Sequence, residues 1–288
     1  MNAAGTLYVV ATPIGNLEDI TLRAIRVLNE VDLIGAEDTR HSRKLLNHFA
    51  IPTPVVSYHR HNEAVSTKRL LAKLAKGQSI ALICDAGTPG ISDPGALVVK
   101  AARNKGFDVV PVPGVSALTC AISVSGIFVD SISFHGFLPA KNTQRVRKLQ
   151  QLARVGQCYV FYEAPHRIER SLKDMSEAFG AATIACIGKE LTKVHEMIRT
   201  GTLCELADWI SQRPERQKGE FVVIVDNTGF ALENSPEIQD AALRKLLENT
   251  SPSSAAALAA ELLGGRKNQL YQRAVHLAQE QDDENVSK

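Results

Sequence analysis

The stretch CDAGTPGISDPG, residues 84–95, follows directly on the apolar run SIALIC, residues 79–84. It holds three glycines, two prolines and two aspartates. An apolar run that ends in a glycine-rich loop is typical of a strand in a parallel sheet whose carboxyl end opens on a ligand site. The stretch therefore predicts an α/β fold with a binding loop at the sheet edge, and Ser92 or Asp93 is expected to begin the next helix.

Similar apolar, β-branched runs recur on both sides of this stretch. In the first part of the chain they occupy residues 6–12, 31–37, 53–59 and 107–113, with helical periodicity between them. Strands that alternate with helices imply a largely parallel sheet. After Ser125-Gly126 the pattern restarts, with runs at residues 131–139, 158–163, 182–189 and 219–225. The expected fold class is α/β, with two α/β domains.

Past Asp226 the sequence changes to three short helical segments, at residues 239–250, 251–264 and 267–280. Ser251 is expected to cap the second segment, with Pro252 at its first helical position. The segments resemble a helix-turn-helix module, and a dimerisation or packing appendage is an equal alternative. The predicted domains are residues 1–118, 119–230 and 236–282, the last one helical.

Composition limits the class of protein. The chain has 288 residues, of which 44% are hydrophobic and 22% charged, which is enough to bury substantial cores. The N-terminus lacks the basic region of a signal peptide, and no window reaches the roughly 18 apolar residues of a membrane span, so a cytoplasmic location is expected. The five cysteines form no C-x-x-C pair, which favours reduced thiols over disulfides or zinc.

The net charge of +2 hides local clusters of basic residues. Residues 141–154 contain five cations and no acid; the other clusters comprise Arg40, Arg43 and Lys44, and Arg266, Lys267 and Arg273. Any one cluster is compatible with a solvated helix face. Three together favour a polyanionic partner, because Lys and Arg neutralise phosphate.

Several familiar sites are excluded by the loops that follow the predicted strands. The first loop contains only Gly15, so the dinucleotide fingerprint is absent, and no lysine follows the phosphate-loop spacing of Gly90 and Gly95. His59 and His61 have no suitably spaced third ligand, so no metal is expected. Ser116 is not in a G-x-S-x-G motif and is expected to cap a helix. The remaining loops suit a folded, mostly neutral cofactor.

Eight motifs occur in order: TPIGNLEDIT (12–21), EDTRHSRKLL (37–46), CDAGTPGISDPG (84–95), VPGVSA (112–117), GFLP (136–139), FYEAPHRI (161–168), GKELTKVHE (188–196) and GEFVVIV (219–225). Together they resemble the class III, tetrapyrrole-methylase-like S-adenosylmethionine methyltransferases. Within that superfamily the closest resemblance is to the branch that methylates a cytidine 2′-hydroxyl of 16S ribosomal RNA. The resemblance covers residues 6–225, and the C-terminal helices resemble the domain appended in that branch.

The resemblance implies S-adenosylmethionine bound in a cleft between two α/β domains, a homodimer, and 16S rRNA or the small ribosomal subunit as partner. The implied cofactor residues are Ile14, Gly15, Asp85, Gly87, Thr88, Pro89, Ile91, Ser116, Ala117, Tyr162, Glu163 and Ala164. One departure concerns Gly87-Thr88-Pro89, where members that act on tetrapyrroles carry Gly-Asp-Pro. The sequence leaves open whether Asp85 or Asp93 replaces that carboxylate.

Methyl transfer to a ribose hydroxyl mainly requires the acceptor oxygen to be held in line and water to be excluded. Because the hydroxyl is a poor nucleophile, a base or a cation should help. The candidates are Glu37, Asp38, Lys189 and Glu190, each of which also has a structural interpretation as a cap, an ion pair or an RNA contact. The predicted contacts to the RNA backbone are Arg40, Arg43, Lys44, His59, Lys141, Arg145, Arg147 and Lys148.

Two other functions remain open at this point. One is a methyltransferase that acts on a tetrapyrrole-like small molecule, which the shared fold permits. The other is a non-catalytic RNA-binding factor for ribosome assembly. A steep salt dependence of substrate binding would indicate a polyanion rather than a tetrapyrrole.

Overall fold

A computed structural model describes residues 4–128, 130–229, 236–263 and 267–286. In its first part, strands alternate with helices: β1 (Leu7–Val10), α1 (Leu22–Glu30), β2 (Leu33–Ala36), α2 (Thr39–His48), β3 (Val55–Ser57), α3 (Glu63–Leu74), β4 (Ile80–Ile83), α4 (Ala96–Asn104) and β5 (Val109–Val112). The strands pair in the order β3-β2-β4-β1-β5, all parallel. The predicted parallel sheet is confirmed.

The second sheet follows helix α5 (Ala117–Val124) and is mixed. Its elements are β6 (Ile132–Phe137), α6 (Asn142–Ala153), β7 (Cys158–Glu163), α7 (Ile168–Phe179), β8 (Ile184–Lys189), β9 (Met197–Thr202), α8 (Leu203–Ser211) and β10 (Phe221–Asp226). The order is β6-β7-β10-β8-β9; β6 and β7 are parallel and the other pairs antiparallel. Strand β9 was not predicted, because its sequence, MIRTGT, forms a largely exposed edge strand and contains no apolar run.

Helix α5 connects the two sheets and packs on the second. Ala121 belongs to an apolar cluster with Val160 of β7, Val222 of β10 and Ile14 from the loop after β1. Burial of this cluster holds the first loop against the second sheet. The predicted boundary after residue 118 falls inside α5 and stays a prediction. Phe230, the predicted end of the second domain, lies outside the described residues.

The C-terminal part forms the predicted helical domain, with α9 (Pro236–Leu247), α10 (Pro252–Leu263) and α11 (Lys267–Val286). They share an apolar cluster that includes Leu243, Ala256 and Leu277. The Ser251 hydroxyl accepts a hydrogen bond from the Ser254 amide at 3.3 Å, which confirms the predicted cap of α10. Arg266, counted in the third basic cluster, lies outside the described residues. Within the described ranges, no helix is long and apolar enough to cross a bilayer.

Two local details concern the opening stretch and the cysteines. Helix α4 begins at Ala96 with Gly95 as its N-cap, so the prediction that Ser92 or Asp93 begins it is wrong. Gly95 has a φ of +142°, which a residue with a Cβ rarely adopts, and a Cβ there would lie 3.0 Å from a Leu82 methyl carbon. The loop thus continues, through turns and bends, for longer than its composition indicated. All five cysteines are free thiols.

Candidate functional site

A cleft of about 420 Å³ lies between the two sheets. On one side it is lined by loops at the carboxyl ends of β1, β2, β4 and β5, where ligands of parallel sheets bind. On the other side lie the ends of β6, β7 and β8 and the start of β10. Because β10 runs antiparallel to β7 and β8, its first residues lie beside their last ones.

The loop after β4, within the opening stretch, is fixed on three sides. The Thr12 and Gly87 backbones exchange two hydrogen bonds of 2.9 and 3.0 Å, which join it to the loop after β1. The Arg60 guanidinium donates to the Ser92 carbonyl at 2.8 Å. The Gly95 amide donates to a Glu63 carboxylate oxygen at 3.1 Å. A loop with so many fixed points presents its amides to the cleft in one arrangement.

All the residues predicted to bind the cofactor line this cleft except Gly15 and Pro89. Pro89 is buried beneath its own loop. Gly15 lies just outside, where a Cβ would meet the Lys193 Cγ at 2.3 Å. Gly15 therefore allows the loop after β1 to approach the segment between β8 and β9. The role of each lining residue in cofactor binding stays a prediction.

Several lining residues were not predicted as site residues from the sequence. They are Ala86, Ser92, Phe137, Pro165, Gly188, Leu191, Glu220, Phe221 and Val222. Asp93, which the sequence left open as a replacement for the missing carboxylate, also lines the cleft. The Phe137 ring is 53% exposed, and its centroid lies 5.6 Å from that of Tyr162. The pair gives the cleft an aromatic corner. Phe137 belongs to the GFLP motif, so its position after an apolar run was the signal that could have found it.

Of the four predicted catalytic residues, only Glu37 lines the cleft. Its carboxylate makes no hydrogen bond or ion pair with any described residue. Burial, together with the negative charges of Asp93 and Asp85, raises its pKa to about 7, and Arg60 opposes the shift. A carboxyl group with a pKa near neutrality is suited to accept a proton at physiological pH.

The other three predicted catalytic side chains have structural partners. Asp38 caps α2 by accepting from the Arg40 amide at 2.8 Å, and this hydrogen bond holds its pKa below the usual value. Lys189 is 7% exposed and donates to the Glu215 carbonyl at 2.9 Å. Glu190 forms an ion pair with Lys193 at 2.8 Å. None of the three lines the cleft, and a catalytic role for any of them stays a prediction.

The predicted RNA contacts are divided among three places. Arg40, Arg43 and Lys44 are exposed on α2, directly after Glu37. Lys141 and Arg147 are exposed on or beside α6, and Lys148 is half-buried there. His59 is half-buried after β3 and does not line the cleft. The α2 cluster is therefore the one next to the cleft.

Arg145, predicted as an RNA contact, does not lie on the exposed face of α6. Its side chain is buried, and its Nε donates to the Asp174 carboxylate in an ion pair between α6 and α7. The helical period places Arg145 on the same side as the buried Leu149, facing the second sheet's core. A run of basic residues in the sequence does not show which one faces inward.

The His59 and His61 rings lie 5.9 Å apart between centroids. Across the parts of the chain that the structure describes, no group of three or more His, Cys, Asp or Glu side chains could hold a metal ion.

Comparison with known protein families gives two matches along the chain. Residues 6–207 match the Tetrapyrrole (Corrin/Porphyrin) Methylases, and residues 233–278 match a family described as the RsmI C-terminal HTH domain. Among solved structures, the fold is similar to that of diphthine synthase, with a TM-score of 0.60, 14% identity and coverage of 77% of this chain and 90% of that one. It is also similar to uroporphyrin-III C-methyltransferase from Thermus thermophilus complexed with S-adenosylhomocysteine, with a TM-score of 0.54, 19% identity and coverage of 78% and 99%.

Full-length relatives are more similar. Ribosomal RNA small subunit methyltransferase I of Pseudomonas aeruginosa is 49% identical, over 95% of this chain and 98% of the relative. The protein of the same name from Escherichia coli O157:H7 is 43% identical, over 95% and 96% of the two chains. Both lengths and both domain matches agree, so the chain belongs to the tetrapyrrole methylase family and, within it, to the ribosomal RNA small subunit methyltransferase I family.

Proposed function

We propose that the protein transfers a methyl group from S-adenosylmethionine to the 2′-hydroxyl of a cytidine in 16S ribosomal RNA of the small subunit. The observation that carries the proposal is Glu37, a carboxylate without an ion-pair partner among the described residues, in a cleft lined by the loops of the family motifs. Family membership supports the substrate class, since the relatives are named for it.

The cleft residues fit the cofactor chemically. Ser116 is the N-cap of α5 and its side chain makes no capping hydrogen bond, so the dipole at that helix end favours a ligand carboxylate. Phe137 and Tyr162 offer apolar surface for a purine ring. Asp85 and Asp93, together with Glu37, give one wall negative charge opposite a sulfonium. S-adenosylmethionine, when bound, supplies an electrophilic methyl group.

In the proposed reaction, Glu37 accepts the proton of the ribose 2′-hydroxyl at a carboxylate oxygen. The ribose oxygen would take the methyl group that S-adenosylmethionine supplies, and the cofactor would leave as the neutral thioether S-adenosylhomocysteine. Asp85 and Asp93 favour the protonated form of Glu37 after transfer, since their charges help to raise its pKa. Arg60, which is held by the Ser92 carbonyl, limits that rise. Burial and these three side chains together keep the pKa of Glu37 close to neutrality.

The α2 cluster of Arg40, Arg43 and Lys44 is proposed to contact the RNA backbone beside the cleft. Helix α2 begins two residues after Glu37, so a strand whose ribose reaches that carboxylate passes the exposed cations. Neutralisation of each phosphate makes binding salt-dependent. The target nucleotide must leave its stack to enter the cleft, as bases do in other nucleic-acid-modifying enzymes.

We also propose a homodimer, a cytoplasmic location, and domain limits at residues 118, 230 and 236. The family resemblance supports the dimer, and a ribosomal RNA substrate supports the location. Sedimentation of the purified full chain would test the dimer, with a monomer mass contradicting it.

The main proposal is tested with purified protein, methyl-labelled S-adenosylmethionine and small ribosomal subunits that lack the modification. Label is expected on a cytidine ribose of 16S RNA, identified by nuclease mapping. Naked 16S RNA and a uroporphyrin-type tetrapyrrole serve as parallel substrates. Cofactor binding without label on any RNA, or label on the tetrapyrrole alone, would contradict the proposal.

A further inference from the structure

A second cavity of about 360 Å³ lies beside the cleft, between the N-terminal ends of α6 and α7. We propose that this basic cavity, lined by Arg145, His166, Arg167, Arg170 and Lys173 among others, binds a backbone phosphate of the RNA strand whose nucleotide enters the cleft. The inference rests on the proposed function. It goes beyond that function by placing a phosphate site on a different helix from the α2 cluster.

Three arginines and one lysine line the basic cavity, against Glu169 as the only carboxylate of the lining within the described residues. Three of the four cations around the basic cavity are ion-paired, Arg145 with Asp174, Arg167 with Glu163 and Lys173 with Glu169, which leaves the positive charge of Arg170 in excess. Glu169 is already engaged, since Lys173 donates to it at 2.7 Å and Gln217 at 3.2 Å. Arg170 is exposed and makes no side-chain hydrogen bond or ion pair with the described residues. A cavity with excess positive charge favours an anion.

Two of the guanidinium groups also carry buried nitrogens without a partner. Arg145 is 1% exposed; its Nε and Nη1 donate to Asp174 and to the Ala140 carbonyl, and Nη2 has no partner. Arg167 uses Nη2 on Glu163 at 2.8 Å, and its Nε has no partner. A buried donor without an acceptor destabilises the fold. Two such donors beside one cavity indicate a site built for an acceptor with several oxygens.

The end of α7 adds a third contribution. The helix has twelve residues, and its N-cap, Arg167, makes no side-chain capping hydrogen bond. The first amides of a helix and its dipole together favour an anion at this end. Phosphate, with its several oxygens, matches both the forked guanidinium groups and these amides.

The position of the cavity indicates an RNA phosphate rather than an isolated anion. Pro165 lines both the cleft and the basic cavity. Glu163, which lines the cleft, is ion-paired with Arg167 of the cavity. A phosphate bound here would thus lie next to the entrance for the target ribose. A nucleic-acid strand presents a phosphate and a ribose at such neighbouring points along its length.

The test compares Arg170→Ala with Arg69→Ala, a matched control for an exposed arginine on α3. Binding of an unmodified 16S RNA fragment and of S-adenosylmethionine is measured across a salt series. For Arg170→Ala we expect about tenfold weaker RNA binding and a salt slope smaller by about 0.7, the value for one phosphate of a single strand. Cofactor affinity should not change. Arg170→Lys should recover most of the slope, because it keeps the charge.

Each other outcome has a defined meaning. If Arg170→Ala matches Arg69→Ala while the wild type binds and methylates RNA, the phosphate site is refuted and the proposed function is not. If inorganic phosphate stabilises the wild type but not Arg170→Ala, while the RNA salt slopes agree, the site takes free phosphate and the RNA assignment is overturned. A wild-type protein that neither binds nor methylates RNA refutes the proposed function and this inference with it.

Discussion

The carboxylates on the two walls of the cleft differ in their ion pairing. On the first-sheet wall, Glu37, Asp85 and Asp93 form no ion pair with the described residues. On the second-sheet wall, Glu163 pairs with Arg167 at 2.8 Å and Glu220 with Lys193 at 2.9 Å. The pKa of Glu37 is raised to about 7, mainly by burial, and burial also raises that of Asp93.

Glu190, behind the second wall, shows how a cationic partner changes the pKa of a partly buried carboxylate. Burial acts to raise its pKa, but hydrogen bonds from Lys193 and from the Glu220 amide hold it below the usual value. A buried carboxylate without a cation destabilises the fold and keeps its proton longer, whereas a paired one stays ionised. On the second wall, the carboxylates are ion-paired and these pairs help to fix its structure. On the first wall, the carboxylates have no ion pair among the described residues and remain available to a ligand.

The largest effect is expected from Glu37→Gln. The amide cannot accept the ribose proton, so methyl transfer should fall by about 10²–10⁴-fold. The wild-type rate should decline as the pH falls below about 7, where Glu37 becomes protonated, and this dependence should disappear in the variant. Single-turnover methylation of small subunits across a pH series is the measurement.

Glu190→Gln is the control, because that carboxylate lies outside the cleft and is held by Lys193. It should retain the rate and the pH profile of the wild type. If Glu190→Gln methylated as slowly as Glu37→Gln, Glu190 would not be a merely structural carboxylate, and the proposed difference between the two walls would be wrong. Both variants should bind S-adenosylmethionine, which equilibrium dialysis can show.

On the second wall, Glu163→Gln tests stability. Glu163 is 1% exposed and accepts from Arg167, from the Ser171 hydroxyl at 2.6 Å and from the Ala164 amide at 2.8 Å. Removing one partner of a buried pair costs about 3–5 kcal/mol. The free energy of unfolding in urea should fall by that amount. Glu30→Gln, which removes an exposed pair with Arg26, should lose less than about 1 kcal/mol. If Glu163→Gln and Glu30→Gln lost the same free energy of unfolding, the ion pair of Glu163 would not be a stabilising contact of the second wall.

Much of this arrangement could be predicted from the sequence. Apolar runs followed by glycine-rich loops located the first sheet and the loops of the first wall, because strand alternation and turn residues are local properties. The cofactor residues of the second wall were implied only by the family resemblance. The pairing of charges could not be predicted. Glu37 and Glu190 both follow strands. Only tertiary contacts determine that Lys193 pairs with Glu190, whereas no cation among the described residues forms an ion pair with Glu37. The burial of Arg145 could not be predicted for the same reason, because its ion-pair partner Asp174 lies 29 residues away in the sequence.

A smaller effect links pH to the stability of the first wall. The pKa of Glu37 rises from 4.5 to about 7 on folding, so the folded state binds more protons between those values, and stability falls as the pH rises through that window. Glu37→Gln should therefore be more stable than the wild type at pH 8, by about 1 kcal/mol after screening, and equal to it at pH 4. Thermal unfolding at the two pH values measures the difference. A variant less stable than the wild type at pH 8 would show that Glu37 has a stabilising partner.

The smallest effect is expected at Lys193, where two substitutions distinguish the contribution of charge from that of packing on the second wall. Lys193→Met keeps a long apolar stem against Gly15 and loses two ion pairs, which are partly exposed and should be worth about 1 kcal/mol or less. Lys193→Ala loses the stem as well, so the loop after β1 loses a packing partner at the cleft. Cofactor affinity should then fall for Lys193→Ala and stay unchanged for Lys193→Met, as titration calorimetry can measure. If Lys193→Met weakened cofactor binding as much, the charge of the second wall would act on the ligand directly, and the division between the walls would be wrong.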